Sequence, residues 1–476
     1  MKKHIAVYTV ILAIFSVLIY FTLKNGEALS SGILSTLPRG AAETPGNIAA
    51  QLFENTKHPM ALLLLQVTVI LVVSRIFGLL TRFIKQPSVI GEIAAGIVLG
   101  PSLLGLLFPD FFAYLFPAES LKALNFLSQL GLTFFMFTIG MELDLESIKS
   151  KARDAIVISH TGIIFPFFLG VLTAYFLYQQ YATPGSTFLA FALFMGISMS
   201  ITAFPVLARI IKEKGLGNTH LGKLALTSAA ADDVTAWCVL AIVIAFAKAT
   251  ALSAAFYTII LTVAFIAFML LVVGPLLRML GKRPILNQDL SKNTVAVSFC
   301  VLLVSSYIAD VIGIHVLFGA FLAGVVMPPN EKFKELLTYK LEDVSSLILL
   351  PIFFAITGLR TQIGLLNEPA QWLLCLAIIG IAVLGKFGGA TAAAKLVGQP
   401  WRSSFSIGAL MNTRGLMELV VLNIGYDMGI LSAELFAIMV LMALATTFMT
   451  SPLLDFINYV STRKPASQKH TNGAHV

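Results

Sequence analysis

Long apolar stretches, separated by short polar segments, follow one another along almost the whole chain. A helix needs roughly 20 apolar residues to cross a hydrocarbon core about 30 Å thick, so each stretch of that length predicts a membrane span. Backbone groups in lipid must pair within the segment, and the stretches are too long for barrel strands, so we expect α-helices. The predicted fold is an all-α polytopic membrane protein with about fourteen spans. They lie near residues 5–23, 59–77, 88–106, 125–144, 153–178, 187–211, 222–248, 252–279, 294–310, 313–328, 343–358, 371–397, 403–425 and 431–453.

The composition agrees with lipid as the main solvent of the chain. Of 476 residues, 58% are hydrophobic and 12% are charged, and the mean hydropathy is +0.90. These values exclude an ordinary soluble globular domain. The formal net charge of +8 is carried mostly by short loops, so it predicts no nucleic-acid partner. We expect a multi-pass protein of the inner or plasma membrane.

Basic residues concentrate in alternate loops and predict the orientation of the spans. With the tail in the cytoplasm, the loops on the same side carry Arg82, Lys85, Lys149, Lys151, Arg153, Lys212, Lys214, Lys223, Lys282, Arg283, Lys292, Lys332, Lys334, Lys340, Lys395 and Arg402. Residues 1–58 are predicted to form an N-terminal helix, or a removable signal segment, and a linker. Residues 59–455 are predicted to form the transmembrane domain, and residues 456–476 a short cytoplasmic tail.

Two adjacent carboxylates, Asp232 and Asp233, lie near the centre of an apolar span among small residues. Charged groups at this depth are costly unless they are paired or face water, so they indicate a functional site. Adjacent helical residues point about 100° apart, so one carboxylate can face a cavity and the other a neighbouring helix. A carboxylate suits hard cations and also takes a proton, which is the basis of exchange. The alternative is a pair that lines a water-filled cavity for structural reasons only.

Lys386 is a third charged residue in the middle of a predicted span. A buried ammonium group needs a partner, and the carboxylate pair is the obvious candidate. If Lys386 pairs with Asp232, an arriving proton or cation would compete with that pair. The alternative is a lysine that extends its side chain to the membrane surface.

Two spans contain residues that interrupt a helix. The first has Ser200 and Thr202 before Pro205, and the second has the polar run Asn412–Glu418. Proline removes a backbone hydrogen bond, and freed polar groups can line a cavity. The two spans are seven apart in order, and an odd offset reverses the membrane direction. The pattern therefore predicts inverted repeats with two crossed, interrupted helices, where Arg414 and Glu418 compensate helix ends or pair with each other.

Several sequence stretches occur in the order typical of a known transporter family. They are Gln86–Glu92 with Gly100–Gly105, Phe135–Phe137 with Gly140–Asp144, Ser200–Arg209, Gly313–Phe321 and Asn412–Leu419. Over residues 59–455 the chain resembles the monovalent cation:proton antiporter-2 family, in the branch related to plant cation/proton exchangers. The resemblance implies about thirteen core helices, a homodimer, and a mobile domain that moves against a dimerisation domain.

The resemblance also implies roles for individual residues. Asp233 would bind the ion or proton, Asp232 would be its neighbour, Lys386 the basic partner, and Thr202 a polar residue beside the helix break. Ser200, Asn412, Arg414, Glu418 and His315 are secondary candidates. His315 suits a pH sensor, although a hydrogen-bonded packing histidine is the favoured interpretation. Glu92, Glu142 and Arg360 lie at predicted helix ends, where we interpret them as interfacial anchors.

The leading hypothesis is secondary antiport of K⁺ or Na⁺ against H⁺ by alternating access, with no cofactor. The sequence has no Gly-Lys-Ser/Thr phosphate loop, which argues against an ATP-driven pump. A cation channel or uniporter on the same scaffold is the alternative, although a fixed ammonium group opposes free cation flow. No His-Glu-x-x-His motif supports an intramembrane enzyme.

Overall fold

A computed structural model describes residues 13–25, 54–84, 86–142, 152–217, 219–248, 252–281 and 290–462. Within these ranges the secondary structure is helical, apart from one isolated bridge between Ala182 and Leu431. The all-α fold class is therefore confirmed. Most of the predicted N-terminal segment and tail, residues 1–12, 26–53 and 463–476, lies outside the described residues, as do Lys85, Lys149, Lys151, Lys282 and Arg283.

The helices are numbered here along the described residues. They are α1 (Ala13–Asn25), α2 (Pro59–Phe83), α3 (Ser88–Leu99), α4 (Leu104–Leu107), α5 (Pro109–Leu115), α6 (Leu121–Glu142), α7 (Ala152–Tyr181), α8 (Phe188–Ser200), α9 (Phe204–Glu213), α10 (His220–Lys248), α11 (Leu252–Phe268, a π-turn at Met269–Val273 and Gly274–Gly281), α12 (Lys292–Ile312), α13 (Val316–Val325), α14 (Glu331–Val344, a π-turn at Ser345–Leu349 and Leu350–Arg360), α15 (Pro369–Val383, a π-turn at Leu384–Gly388 and Gly389–Leu396), α16 (Trp401–Met411), α17 (Leu416–Asp427) and α18 (Ala433–Thr462).

Among the described residues, fewer helices reach the length of a membrane span than the fourteen predicted from the sequence. In the described part of the chain, 11 helical spans are long and apolar enough to cross a membrane, and the bent pair α16 and α17 makes up to 12. Two apolar helices, α1 and α13, are shorter. Helix α13 has 10 residues, fewer than the span predicted at 313–328, because Gly313 caps the end of α12 and His315 caps the start of α13. Helix α18 continues to Thr462, beyond the predicted end at residue 453.

The helices of the unit Leu62–Val476 pack into two bundles. The scaffold bundle contains α2, α3, α6, α12, α13 and α14, with α3 and α6 packed on α14 and α13 packed on α6 and α12. The site bundle contains α7–α10 and α15–α18, with α8, α10 and α15 packed on α7. Each bundle takes helices from both halves of the chain, as expected for the inverted repeats predicted from the sequence.

Close backbone contacts stabilise the scaffold bundle. Gly140 of α6 faces Gly324 of α13, and a Cβ atom on either residue would overlap the other helix's backbone. Small residues are favoured where membrane helices approach closely, because packing drives their association in lipid. These contacts fix α6 and α13, which form one wall of the region that contains the site.

Candidate ion-binding site

The two helix breaks predicted from the sequence meet in the site bundle. Helix α8 ends at Ser200 and α9 begins at Phe204, while α16 ends at Met411 and α17 begins at Leu416. The hydroxyl of Thr202 donates to the carbonyl of Met411 at 3.0 Å. The backbone N–H of Ala203 also donates across the two breaks, to the carbonyl of Thr413 at 3.0 Å. Each break thus satisfies backbone groups freed in the other.

Asp232 of α10 lies against the first break and contacts Lys386. Its carboxylate accepts a hydrogen bond from the Thr202 backbone N–H at 2.8 Å. The Lys386 ammonium lies 3.1 and 3.2 Å from the two carboxylate oxygens, and both side chains are fully buried. The ammonium also donates to the carbonyls of Gly162, at 2.8 Å, and Ser200. Buried ions are tolerated when they are paired and their hydrogen bonds are met, and this pair fulfils both conditions.

Asp233 has no comparable partner. It is 1% exposed, and neither carboxylate oxygen has a hydrogen-bond donor among the described residues. The backbone N–H of Phe204 lies near this carboxylate but does not meet hydrogen-bond geometry. Phe204 is the first residue of α9, and a helix start carries a partial positive charge. The carboxylate of Asp233 is therefore buried, unpaired and next to a helix start.

Arg414 and Glu418 compensate two helix ends. Arg414 donates to the carbonyls of Ser198 and Met199, at 2.9 and 2.7 Å, where α8 ends. Its guanidinium lies 3.3 Å from the carboxylate of Glu418, in the first turn of α17. A cation thus lies at a helix C-terminus and an anion at a helix N-terminus, the favourable arrangement for both dipoles.

The remaining candidates lie in different surroundings. The hydroxyl of Ser200 donates within its own helix to Gly196, at 2.6 Å. Asn412 is fully buried at the second break, and neither atom of its amide group has a partner among the described residues. His315 caps α13 in the scaffold bundle through a 3.4 Å contact from the Leu317 N–H. It is therefore not part of the cluster formed by Asp232 and Lys386.

A cavity leads toward the first break from the side of the basic loops, which are assigned to the cytoplasm. It has a volume of about 460 Å³ and lies between α6 and α14 of the scaffold bundle and α9 of the site bundle. Its lining includes Thr138, Glu142, Arg209, Ser346 and Phe204, the residue beside Asp233. Water and ions can therefore approach the start of α9 from this side.

Residues 67–456 match the family model described as sodium/hydrogen exchanger, transmembrane. The chain belongs to the sodium/hydrogen exchanger family. It is 42% identical to the Na⁺/H⁺ antiporter NhaS4 of Synechocystis, over 83% of this chain and 97% of that protein. It is 38% identical to cation/H⁺ antiporter 19 of Arabidopsis thaliana over 90% of this chain, and 36% identical to K⁺/H⁺ antiporter 1 of Saccharomyces cerevisiae over 85%. The chain spans about half the length of these plant and yeast relatives, 54% and 47%.

A solved structure has the same fold as this exchanger. The sodium proton antiporter MjNhaP1 of Methanocaldococcus jannaschii superposes with a TM-score of 0.59 over 85% of this chain and 98% of that one. The sequence identity is 14%, so the likeness shows the fold alone.

The two repeats of the exchanger differ in their chemistry. Where α10 has carboxylates beside the first break, α18 has hydroxyls beside the second. Thr447 donates to the carbonyl of Arg414 at 2.7 Å, and Thr450 lies 3.2 Å from the hydroxyl of Thr413. Both breaks are thus stabilised by the following helix, and α10 alone brings carboxylates to its break.

Two contacts between the bundles were not predicted from the sequence. Trp237 stacks on Phe321 across the two bundles, and no motif distinguished it from other buried aromatics. Arg360, interpreted as an interfacial anchor, lies at the end of α14 and forms an ion pair with Asp427 and a hydrogen bond with Asn423. A basic residue at a helix end, opposite the basic loops, was the signal available in the sequence.

Proposed function

We propose that this exchanger moves K⁺ or Na⁺ against H⁺ and that Asp233 binds the two ions alternately. Asp232 and Lys386 form the charged pair beside it, and Thr202 holds Asp232 in place. The observation that supports this proposal is the carboxylate of Asp233, buried, without a hydrogen-bond donor and beside the cavity-lining residue Phe204. Transport is secondary and uses no cofactor.

The exchange follows from the cost of an unpaired buried charge. A carboxylate without partners in a low-dielectric interior is unfavourable, and either a proton or a metal cation removes that cost. The two ions compete for the same oxygens, so the site carries one of them at a time. Competition at a site open to one side of the membrane at a time couples the two ion fluxes in opposite directions.

Lys386 and Asp232 keep the site close to neutral. The two charges of this buried ion pair cancel, so the pair adds no net charge beside Asp233. A fixed ammonium group opposes free cation flow, and the relatives are named as antiporters, so the channel alternative has no support.

We also propose that two copies associate in the membrane. The family resemblance supports a homodimer, with lipid around the remaining apolar surface. Native mass spectrometry of the exchanger in nanodiscs should give twice the mass of one chain, and a single-chain mass would refute the dimer.

The proposed function is tested in everted vesicles that contain a pH-sensitive dye. Added K⁺ or Na⁺ should dissipate a preformed proton gradient, and failure with both cations would refute antiport. Asp233→Asn should reduce this exchange to the background of empty vesicles. Asp110→Asn, at the exposed start of α5, is the matched control and should exchange normally. If Asp233→Asn also exchanges normally, the site assignment is wrong while antiport stands.

A further inference from the structure

An aromatic stack joins the two bundles on the outer side of Asp233, opposite the basic loops. Helix α10 runs outward, so Trp237 lies about one turn beyond Asp233. Its ring stacks on Phe321 of α13, with centroids 5.9 Å apart and an interplanar angle of 23°. Trp237 is 1% exposed, and the two residues come from different bundles. The bundles are therefore in contact immediately above the carboxylate.

A polar cluster joins the same bundles at their outer rim. Arg360, at the end of α14, lies 2.9 Å from the carboxylate of Asp427 and donates to Asn423 at 2.7 Å, both on α17. Its guanidinium also lies 5.6 Å from the ring centre of Tyr426. The amide of Asn423 donates back to the hydroxyl of Thr357 on α14, at 2.9 Å. We call Arg360, Asn423 and Asp427 the outer latch.

The opposite side of the same boundary is open. There the cavity of about 460 Å³ separates α6 and α14 from α9 and reaches Phe204. The structure therefore has a cavity that reaches Phe204, beside the site, from the cytoplasmic side, whereas side chains of the two bundles are in contact on the outer side. An exchanger must reverse this arrangement in each cycle, and α14 and α17 must then part where the outer latch now joins them.

We propose that the outer latch is a gate that must open for ions to leave or enter on the outer side. The ion pair suits such a device, because its side chains are 20% and 39% exposed. Water can solvate both charges when they separate, so the pair breaks at low cost, whereas a fully buried pair would resist opening. This inference rests on the proposed antiport, which supplies the readout.

Reversible cross-linking tests whether the latch must open. The native cysteines Cys238, Cys300 and Cys375 are first replaced by alanine, and Arg360→Cys and Asp427→Cys are introduced together. Short bifunctional methanethiosulfonate reagents then join α14 to α17. Cross-linking should lower cation-dependent proton exchange at least tenfold, and a reductant should restore it in the same vesicles. Because activity returns, misfolding cannot account for the loss.

A matched pair of cysteines controls for the cross-link itself. Gln371 and Glu434 are 2.6 Å apart on α15 and α18, also near the outer side but both within the site bundle. Gln371→Cys with Glu434→Cys should cross-link without loss of exchange. Unchanged exchange in the cross-linked latch variant would overturn the proposal, and so would equal inhibition of the control. Absence of exchange in the wild type would instead refute the proposed antiport.

A second measurement does not depend on cysteines at the latch. Arg360→Gln removes the ion pair and should favour the open outer side. A cysteine placed at the buried position Ile424 should then react several-fold faster with an impermeant thiol reagent added outside. An unchanged reaction rate would contradict the latch, whether or not the cross-linked pair can be prepared.

Discussion

The buried charges of the site form a network in which each residue limits what its neighbours can do. Lys386 has Asp232 as its contacting carboxylate and two backbone carbonyls as further acceptors. Asp233, one residue away from Asp232, has none of these contacts. Adjacent residues on α10 therefore differ in their surroundings: Asp232 is paired within the protein, and Asp233, the residue proposed to bind the mobile ion, is not. The 100° between neighbouring helical side chains produces this division.

Replacing Lys386 alone should destabilise the exchanger more than replacing Lys386 and Asp232 together. Lys386→Ala leaves the carboxylate of Asp232 buried with only the Thr202 N–H, and breaking a buried pair from one side costs about 3–5 kcal/mol. Lys386→Ala with Asp232→Asn removes both charges and should recover much of that loss. Thermal unfolding in detergent, followed by tryptophan fluorescence, measures the difference. Equal stability of the single and double variants would contradict the pairing.

At the scale of helices, the two breaks act as a unit. The end of α8 and the start of α17 present opposite partial charges, and Arg414 and Glu418 neutralise them across a distance of 3.3 Å. The crossing hydrogen bonds of Thr202 and Ala203 fix the same region. From this arrangement we expect Arg414 and Glu418 to have a structural role, separate from the ion binding proposed for Asp233.

Glu418→Gln therefore tests a structural role against a transport role. The uncharged amide keeps the shape of the side chain but leaves Arg414 without its carboxylate, so we expect lower stability by about 3 kcal/mol. Cation-dependent exchange should persist below the new unfolding temperature, with an unchanged KM for the cation. Arg414→Gln combined with Glu418→Gln should be more stable than Glu418→Gln alone. Loss of exchange in a folded Glu418→Gln protein would place Glu418 in the ion pathway.

Local signals predicted these elements well. Pro205 and the polar run from Asn412 to Glu418 indicated where helices break, because both disrupt backbone pairing whatever surrounds them. The charges at Asp232 and Lys386 were visible because apolar spans make them exceptional. The π-turns of α11, α14 and α15 gave no comparable signal, since an extra residue in a helical turn needs no special composition.

At the scale of the whole molecule, the features missed from the sequence are contacts between the bundles. Arg360 reaches Asp427 across 67 positions of the chain, and Trp237 reaches Phe321 across 84. Nothing local to these residues indicates their partners, because the partners depend on how the two repeats pack. The sequence predicted that Asp232 and Lys386 lie together, whereas the position of the cavity beside them depends on the arrangement of the bundles.

Thiol labelling can measure directly from which side of the membrane the cavity is accessible. Ser346 lines the cavity. The next residue, Leu347, does not line the cavity and is 43% exposed on the protein surface. Ser346→Cys is introduced into a variant that lacks the native cysteines. In vesicles, this variant should react with a charged thiol reagent added on the cytoplasmic side, and the reaction should abolish its cation-dependent proton exchange. Leu347→Cys should remain unreactive, because a thiol in lipid meets neither the reagent nor the water needed to form a thiolate. Reaction of Ser346→Cys from the outer side alone would reverse the orientation assigned from the basic loops, and with it the direction in which the outer latch closes the site.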